Sequence, residues 1–276
     1  MRKRAQHCLN VLAFLGLFLA GVFASVTPAD ASHSWNGYHW ARTDNPFTLK
    51  LGANVSGLWG SMLVAASSDW SQSNVLNTAI FAGGTNPKPC RPTSGRVEVC
   101  NARYGNTGWL GLAQIWITGG EHIVQGVVKN NDYYFGNSSY QYNNTAEMQH
   151  VICQEIGHTL GLDHQDTSGA SRNTCMDYYH NTSASDMEST DPNQHDYDEL
   201  AIIYAHLDAS TTVASSASSR LGHGNADEHV PAGVDEHYLP SWASPAGGDV
   251  YEVDLPNGLR VVTHVIWVRS GPGARP

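Results

Sequence analysis

Charge is scarce in this chain. Of its 276 residues only 14% are Asp, Glu, Lys or Arg, and the balance is acidic, with a formal net charge of −10. Gripping nucleic acid needs a basic face against the phosphates, so that class of partner is excluded. Only one long apolar run is present, at the N-terminus, so a bundle of membrane spans is excluded too. No segment repeats, which excludes a solenoid. No acidic cluster has the spacing of a calcium loop, so Asp186, Glu188, Asp191, Asp196 and Asp198 read as solvated acid around a helix start. What is plentiful is apolar: 41% hydrophobic residues suffice for the core of one large domain with an appendage.

The N-terminus reads as an export leader. Arg2, Lys3 and Arg4 precede the uncharged stretch from Leu9 to Val26, and Ala29-Asp30-Ala31 offers a small-x-small cleavage site. Removing residues 1–31 leaves 12 basic and 24 acidic residues, a charge of −12, and four cysteines. An even count in an exported chain implies two disulfides, with three possible pairings. The short loop holding Pro92, Ser94 and Gly95 favours Cys90–Cys100, which leaves Cys153–Cys175. The expectation is a secreted monomer without membrane contact once the leader is gone.

Alternation of apolar and polar residues predicts strands at 47–51, 75–81, 96–100, 112–117 and 122–128. Helical spacing predicts helices at 58–72, at 145–160 with Thr145 as N-cap and Gly161 as its stop, and at 192–207 with Pro192 in the first turn. A main domain over 32–208 is then followed by a Ser/Ala-rich linker, 209–226, and an extension, 227–276. The extension holds one hairpin pattern, 250–255 and 259–268 around Pro256-Asn257-Gly258, and no evident site. His150 and His180 read as surface histidines, and Trp116 as a packed side chain.

Chemistry concentrates in Gln154-Glu155-Ile156-Gly157-His158-Thr159-Leu160-Gly161-Leu162-Asp163-His164. Residues 154 and 158 stack on one helix face, and Glu155 projects about 100° away, beside a metal that they would hold. Gly161 allows a sharp exit, so His164 can swing back as a third ligand. Three protein ligands with one position open is the arrangement of a catalytic zinc.

These residues resemble the metzincin metallopeptidases, whose signature is His-Glu-x-x-His-x-x-Gly-x-x-His followed by a Met-turn. Glu155, His158, Gly161 and His164 match; Gln154 stands where the family has its first histidine. Four such fixed residues arise by chance in roughly one chain in a thousand. Met176, twelve residues beyond His164, looks like the Met-turn methionine, and Tyr178 stands two residues after it. Members of the gametolysin-like branch carry Gln at the first position, some associated with copper. The resemblance covers residues 35–208. It implies an α+β fold: a twisted mixed sheet with two helices, the second bearing the site, and an irregular C-terminal subdomain closed by a helix. It further implies a zinc-dependent endopeptidase acting on protein or peptide substrates, with Gln154, His158 and His164 holding Zn2+ (or copper), Glu155 as general base and Tyr178 steadying the oxyanion. The substrate would pair with the edge of the 111–118 strand. The rival expectation is an inactive binding module on the same fold, and a third is a hydrolase of non-peptide bonds.

Overall fold

The computed structural model describes residues 32–215, 243–244 and 248–268. The expected export leader (residues 1–31), residues 216–226 of the expected linker and most of the stretch up to 247 lie outside them. The architecture is α+β. Eight strands form one mixed sheet: β1 (His39–Trp40), β2 (Phe47–Asn54), β3 (Leu76–Ala82), β4 (Val97–Ala102), β5 (Trp109–Thr118), β6 (His122–Asn131), β7 (Val250–Asp254) and β8 (Arg260–Trp267). The order is β3-β2-β4-β6-β5-β8-β7, with β1 paired to β6. The β3, β2, β4 and β6 pairings are parallel, and every pairing from β6 through β5 and β8 to β7 is antiparallel. The helices are α1 (Trp59–Trp70), the single turn α2 (Asp132–Phe135), α3 (Thr145–Thr159) and α4 (Gln194–Ile203).

Helix α3 organises the molecule, since every residue from Ala146 to Thr159 is buried. It packs against α1, β5 and β6, and Val151, Ile152 and Ile156 join Trp70, Val128 and Ile115 in the main core. The Trp70 indole N–H donates to the Cys153 carbonyl (3.1 Å), tying α1 to the site helix. The N-cap is Asn144, one residue before the expected Thr145, because the Asn144 side chain reaches the Glu147 N–H at 3.0 Å. The C-terminus closes as a Schellman motif: Leu162 N–H donates to Gly157 O (3.3 Å) and Gly161 N–H to His158 O (3.1 Å). Gly161 has φ +100°, and a β-carbon there would lie 2.1 Å from the Tyr38 carbonyl, so glycine is required.

The last helix is shorter than expected at both ends. Asn193 caps α4 through a capping box with Asp196, which places Pro192 outside the helix. Asp196 is not the solvated acid the sequence suggested. It is buried, accepting from Asn193 N–H (2.7 Å) and the Thr174 hydroxyl, with His33 Nε2 at 3.1 Å.

Both disulfides are Cys90–Cys100 and Cys153–Cys175. Residues 209–215, the start of the expected linker, run along the domain, with Thr212 N–H on Ala41 O and Ala214 N–H on Gly95 O, each at 2.9 Å. The hairpin near the C-terminus forms as its turn residues predict: Pro256–Gly258 make a 3-10 turn with Asn257 at φ 66°. Its placement was not expected. Strand β8 pairs along β5 from Trp109 to Ile117, so β5 is an inner strand rather than the free edge expected of a substrate-lining strand. Among the described residues no helix is long and apolar enough to cross a membrane.

Candidate metal centre

Helix α3 and its Schellman exit deliver two of the expected ligands to one place. His158 comes from the last turn, and His164 from the chain folding back beyond Gly161; their rings lie 4.9 Å apart. The third member of the cluster was missed by the sequence reading. His264, in the middle of β8, stacks on His158 at 3.6 Å between centroids and meets His164 edge-on at 4.3 Å. One ligand atom from each of the three lies within 4.8 Å of the other two. The only local signal for His264 was its place in an alternating strand.

The chemistry of these groups fits a metal ion. His158 Nδ1 donates to the Leu162 carbonyl at 2.8 Å, which leaves Nε2 as a lone-pair donor. That Nε2, His164 Nε2 and His264 Nδ1 are buried with no partner, and the other ring nitrogens of His164 and His264 meet only the carboxylates of Asp249 and Asp163, at 3.2–3.8 Å. Buried polar atoms are normally paired, so the nitrogens left over around one point are donors that a cation could use. Buried His/Asp groups of this kind can hold a metal ion. Burial, and then the neighbouring His264, hold the His164 imidazole down to about 4. Burial, His264 and His164 together push His158 well below the usual histidine range. The His158 and His164 rings therefore stay neutral and ligand-ready at physiological pH. Asp249, just before β7, stands 3.2 Å from His164 Nδ1 and 3.6 Å from His264 Nε2.

Gln154 is held differently. Its amide nitrogen donates to the carbonyls of Cys175 and Asp177, both at 2.7 Å, so the side chain is fixed against the turn bearing Met176, the expected Met-turn residue. Its amide oxygen accepts no hydrogen bond among the described residues, which leaves that atom for a metal or another donor. Met176 is fully buried beneath the helix: a β-carbon on Gly157 would lie 2.4 Å from its sulfur.

Glu155 is fully buried, and neither carboxylate oxygen has a hydrogen-bond partner of normal geometry. Burial pushes its carboxyl well above the usual range, opposed only by the Ile266 backbone N–H. Gly111 of β5 makes room for it, since a β-carbon there would lie 3.0 Å from Glu155 Oε1. Tyr178 packs its ring 4.4 Å from His164, and its hydroxyl donates to Val265 O at 3.3 Å. The hairpin therefore touches Glu155, His158, His164 and Tyr178.

His150 and His180 are not on the surface. Both are buried around Glu147, whose carboxylate accepts from His180 Nδ1 (2.5 Å) and Asn181 N–H (2.6 Å) and lies 3.7 Å from His150 Nδ1. Trp116 is packed, as expected. No family model and no curated protein matches the chain.

Proposed function

We propose that the chain is an exported, metal-dependent endopeptidase of the metzincin type, described here in a latent form closed by its own C-terminal hairpin. The observation that carries this reading is the Glu155 carboxylate, buried with no side-chain partner one turn before His158, which clusters with His164 and His264. A carboxylate buried with only the Ile266 backbone N–H to offset it is costly, and such groups gather at functional sites. Beside a metal it is the group that takes a proton from water and returns it to a leaving amine. Gln154, His158 and His164 would hold the ion, Zn2+ by preference for this donor set, with copper as the alternative. When bound, the ion supplies Lewis acidity toward a peptide carbonyl and an attacking water. Tyr178, freed from Val265, would orient the carbonyl oxygen. The leader pattern and two disulfides support an extracellular setting.

Latency follows from where the hairpin lies. A peptide substrate would add to β5 as an antiparallel strand, and β8 already does so. His264 then sits among the ligands, where a catalytic site keeps a position open. The same pairing favours a second reading, in which the hairpin never leaves and the histidines form a permanent closed centre in a binding module.

The test is to place a specific cleavage site within residues 216–242, cut it, strip the hairpin and reload zinc. The intact chain is expected to leave casein untouched. The cut chain should digest it in a chelator-sensitive way, and Glu155→Gln should abolish digestion with metal still bound. A folded, zinc-loaded, hairpin-free chain without peptidase activity would establish the second reading instead.

A further inference from the structure

We propose that His39, His122, His206 and Asp208 form a second, structural metal centre, built for a divalent transition ion with tetrahedral preference, zinc first. The proposal does not rest on the peptidase reading, because none of these residues belongs to the cluster around His158.

The residues come from three parts of the chain: the ligand atoms of His39, His122 and Asp208 all lie within 4.8 Å of one another, and His206, two residues before Asp208, brings its Nε2 against His39 and Asp208. His39 on β1 is the register partner of His122 at the start of β6. His206 and Asp208 follow α4, and Asp208 N–H donates to Arg42 O at 2.9 Å, which returns this segment to β1. Asp208 Oδ1 lies 3.2 Å from His122 Nε2, 3.6 Å from His39 Nε2 and 3.8 Å from His206 Nε2. His206 Nε2 lies 3.1 Å from His39 Nε2. An ion about 2.0–2.1 Å from each of four ligands at tetrahedral angles sets those ligands roughly 3.3–3.4 Å apart. The four separations bracket that value. A hydrogen bond would explain one close pair; a carboxylate oxygen facing three imidazole nitrogens, two of which also approach each other, is what a shared cation explains.

The surrounding groups orient the ligands as metal sites require. His39 is buried, and its Nδ1 donates to Gly37 O at 2.8 Å, which turns a lone pair on Nε2 toward the cluster. The other oxygen of Asp208, Oδ2, is engaged by Arg42 through Nη1 (2.9 Å) and the backbone N–H (3.1 Å). This fixes the carboxylate with Oδ1 inward. Arg42 is itself anchored on the carbonyls of Tyr204 (2.8 Å) and His206. Four protein ligands leave no open position, which marks a structural rather than a catalytic centre. The half-exposed His206 ring gives the ion a way in. Three imidazoles and a carboxylate suit zinc better than calcium or magnesium, which prefer all-oxygen shells. Bound there, the ion would clamp β1, β6 and the segment after α4 together at the end of the sheet where the hairpin also turns, since Thr118 pairs with His122 and Ile117 with Arg260.

The experiment compares metal content and melting of the full chain with a His122→Ala/His206→Ala variant, each stripped and then reloaded with zinc alone. The expected result is one equivalent fewer in the variant, whatever the content of the His158 cluster, and loss of most of the zinc-induced rise in Tm. Equal zinc content in the two chains would overturn the proposal. Should the double variant fail to fold, His206→Ala alone, at the exposed ligand, is expected to weaken zinc binding at this centre at least tenfold. Anomalous scattering at the zinc edge from crystals of the unaltered chain supplies a check free of mutation. A peak between the four ligand atoms upholds the centre, and none there in zinc-loaded crystals overturns it.

Discussion

The two disulfides offer a matched comparison. Cys153–Cys175 and Cys90–Cys100 span sequence separations of 22 and 10 residues. Chain entropy alone assigns them about 3.4 and about 2.7 kcal/mol, because the cost of closing a loop rises only with the logarithm of its length. All four cysteines are buried, so the cavities left by Cys→Ala changes are alike. Removing either pair should therefore lower Tm by roughly ten degrees in a domain of this size. Their effects on metal binding should differ. Cys153 directly precedes Gln154, and Cys175 directly precedes Met176, so one bond pins α3 to the turn bearing Met176. Without it, helix and turn are held by the two Gln154 amide donations and by packing of Met176 under Gly157. If the site is competent in only one molecule in ten, apparent affinity falls tenfold. Zinc titration against a chromophoric competitor, with melting on the same samples, should show about a tenfold loss for Cys153→Ala/Cys175→Ala. Cys90→Ala/Cys100→Ala should show less than a twofold loss. Equal affinities in the two variants, at comparable losses of stability, would refute the coupling of this disulfide to the centre.

Three further outcomes are expected. Gly157→Ala must displace the Met176 sulfur and the Trp70 ring, 2.4 and 2.7 Å from the new methyl, and should cost about 1–3 kcal/mol in urea unfolding while weakening metal binding. Glu147→Gln removes the carboxylate that His180 and Asn181 share, and should cost about 3–5 kcal/mol. Burial works against that carboxylate, yet His180 and then His150 hold it down to about 2. Its contribution, about 3 kcal/mol, is complete above the unfolded carboxyl value near 4.5 and is lost as pH falls from there toward 2. The Gln variant should therefore show a flatter pH–stability curve across that window, and parallel curves would count against the assignment. Metal titration of Gln154→Ala and His264→Ala, each in the intact chain, apportions the donors: a loss in both places the oxygen and the imidazole on one ion, and a loss in His264→Ala alone leaves Gln154 as an anchor of the Met-turn.

What the sequence made legible was what local pattern controls. The spacing of Gln154, His158 and His164 is a statement about one helix and its exit, and α3 with its glycine stop realises it. The hairpin was equally legible, because Pro256-Asn257-Gly258 fixes a turn whatever lies beside it. Residues whose burial depends on distant partners were not. His180 and Asp196 read as surface groups because polar side chains are exposed unless paired, and the partners that bury them, Glu147 for His180, and His33 and Thr174 for Asp196, come from other parts of the chain. His150 lies one turn from Glu147 on α3, a pairing within reach of the sequence, but its burial comes from the packing of the whole helix. The docking of β8 on β5 is likewise a choice among sheet edges that no short window contains.

The register of β8 argues that His264 is specified for its place. Side chains on a strand alternate between faces. Val262 and Ile266 belong to the main core, on the face toward α3. Val261 packs instead with Trp116 and the Cys90–Cys100 pair, and Val265 and Trp267 pack with Trp109, Leu112 and Tyr251. His264 falls between Val262 and Ile266, so it must point where they point. A slip of one residue against β5 would exchange every apolar partner on both faces at once, which makes this register hard to escape. Val or Ile at 264 would satisfy the packing of that face; a buried histidine whose Nδ1 is unpaired and whose Nε2 has only Asp249 and Asp163, at 3.6 and 3.8 Å, is better satisfied if something else binds there. A strand without the imidazole would cover β5 and leave the centre open, and an imidazole on a mobile tail would bind weakly. Under the proposed function, joining the two on β8 would cover β5 and complete the histidine cluster in a single step, so cutting the chain ahead of the hairpin should release both together.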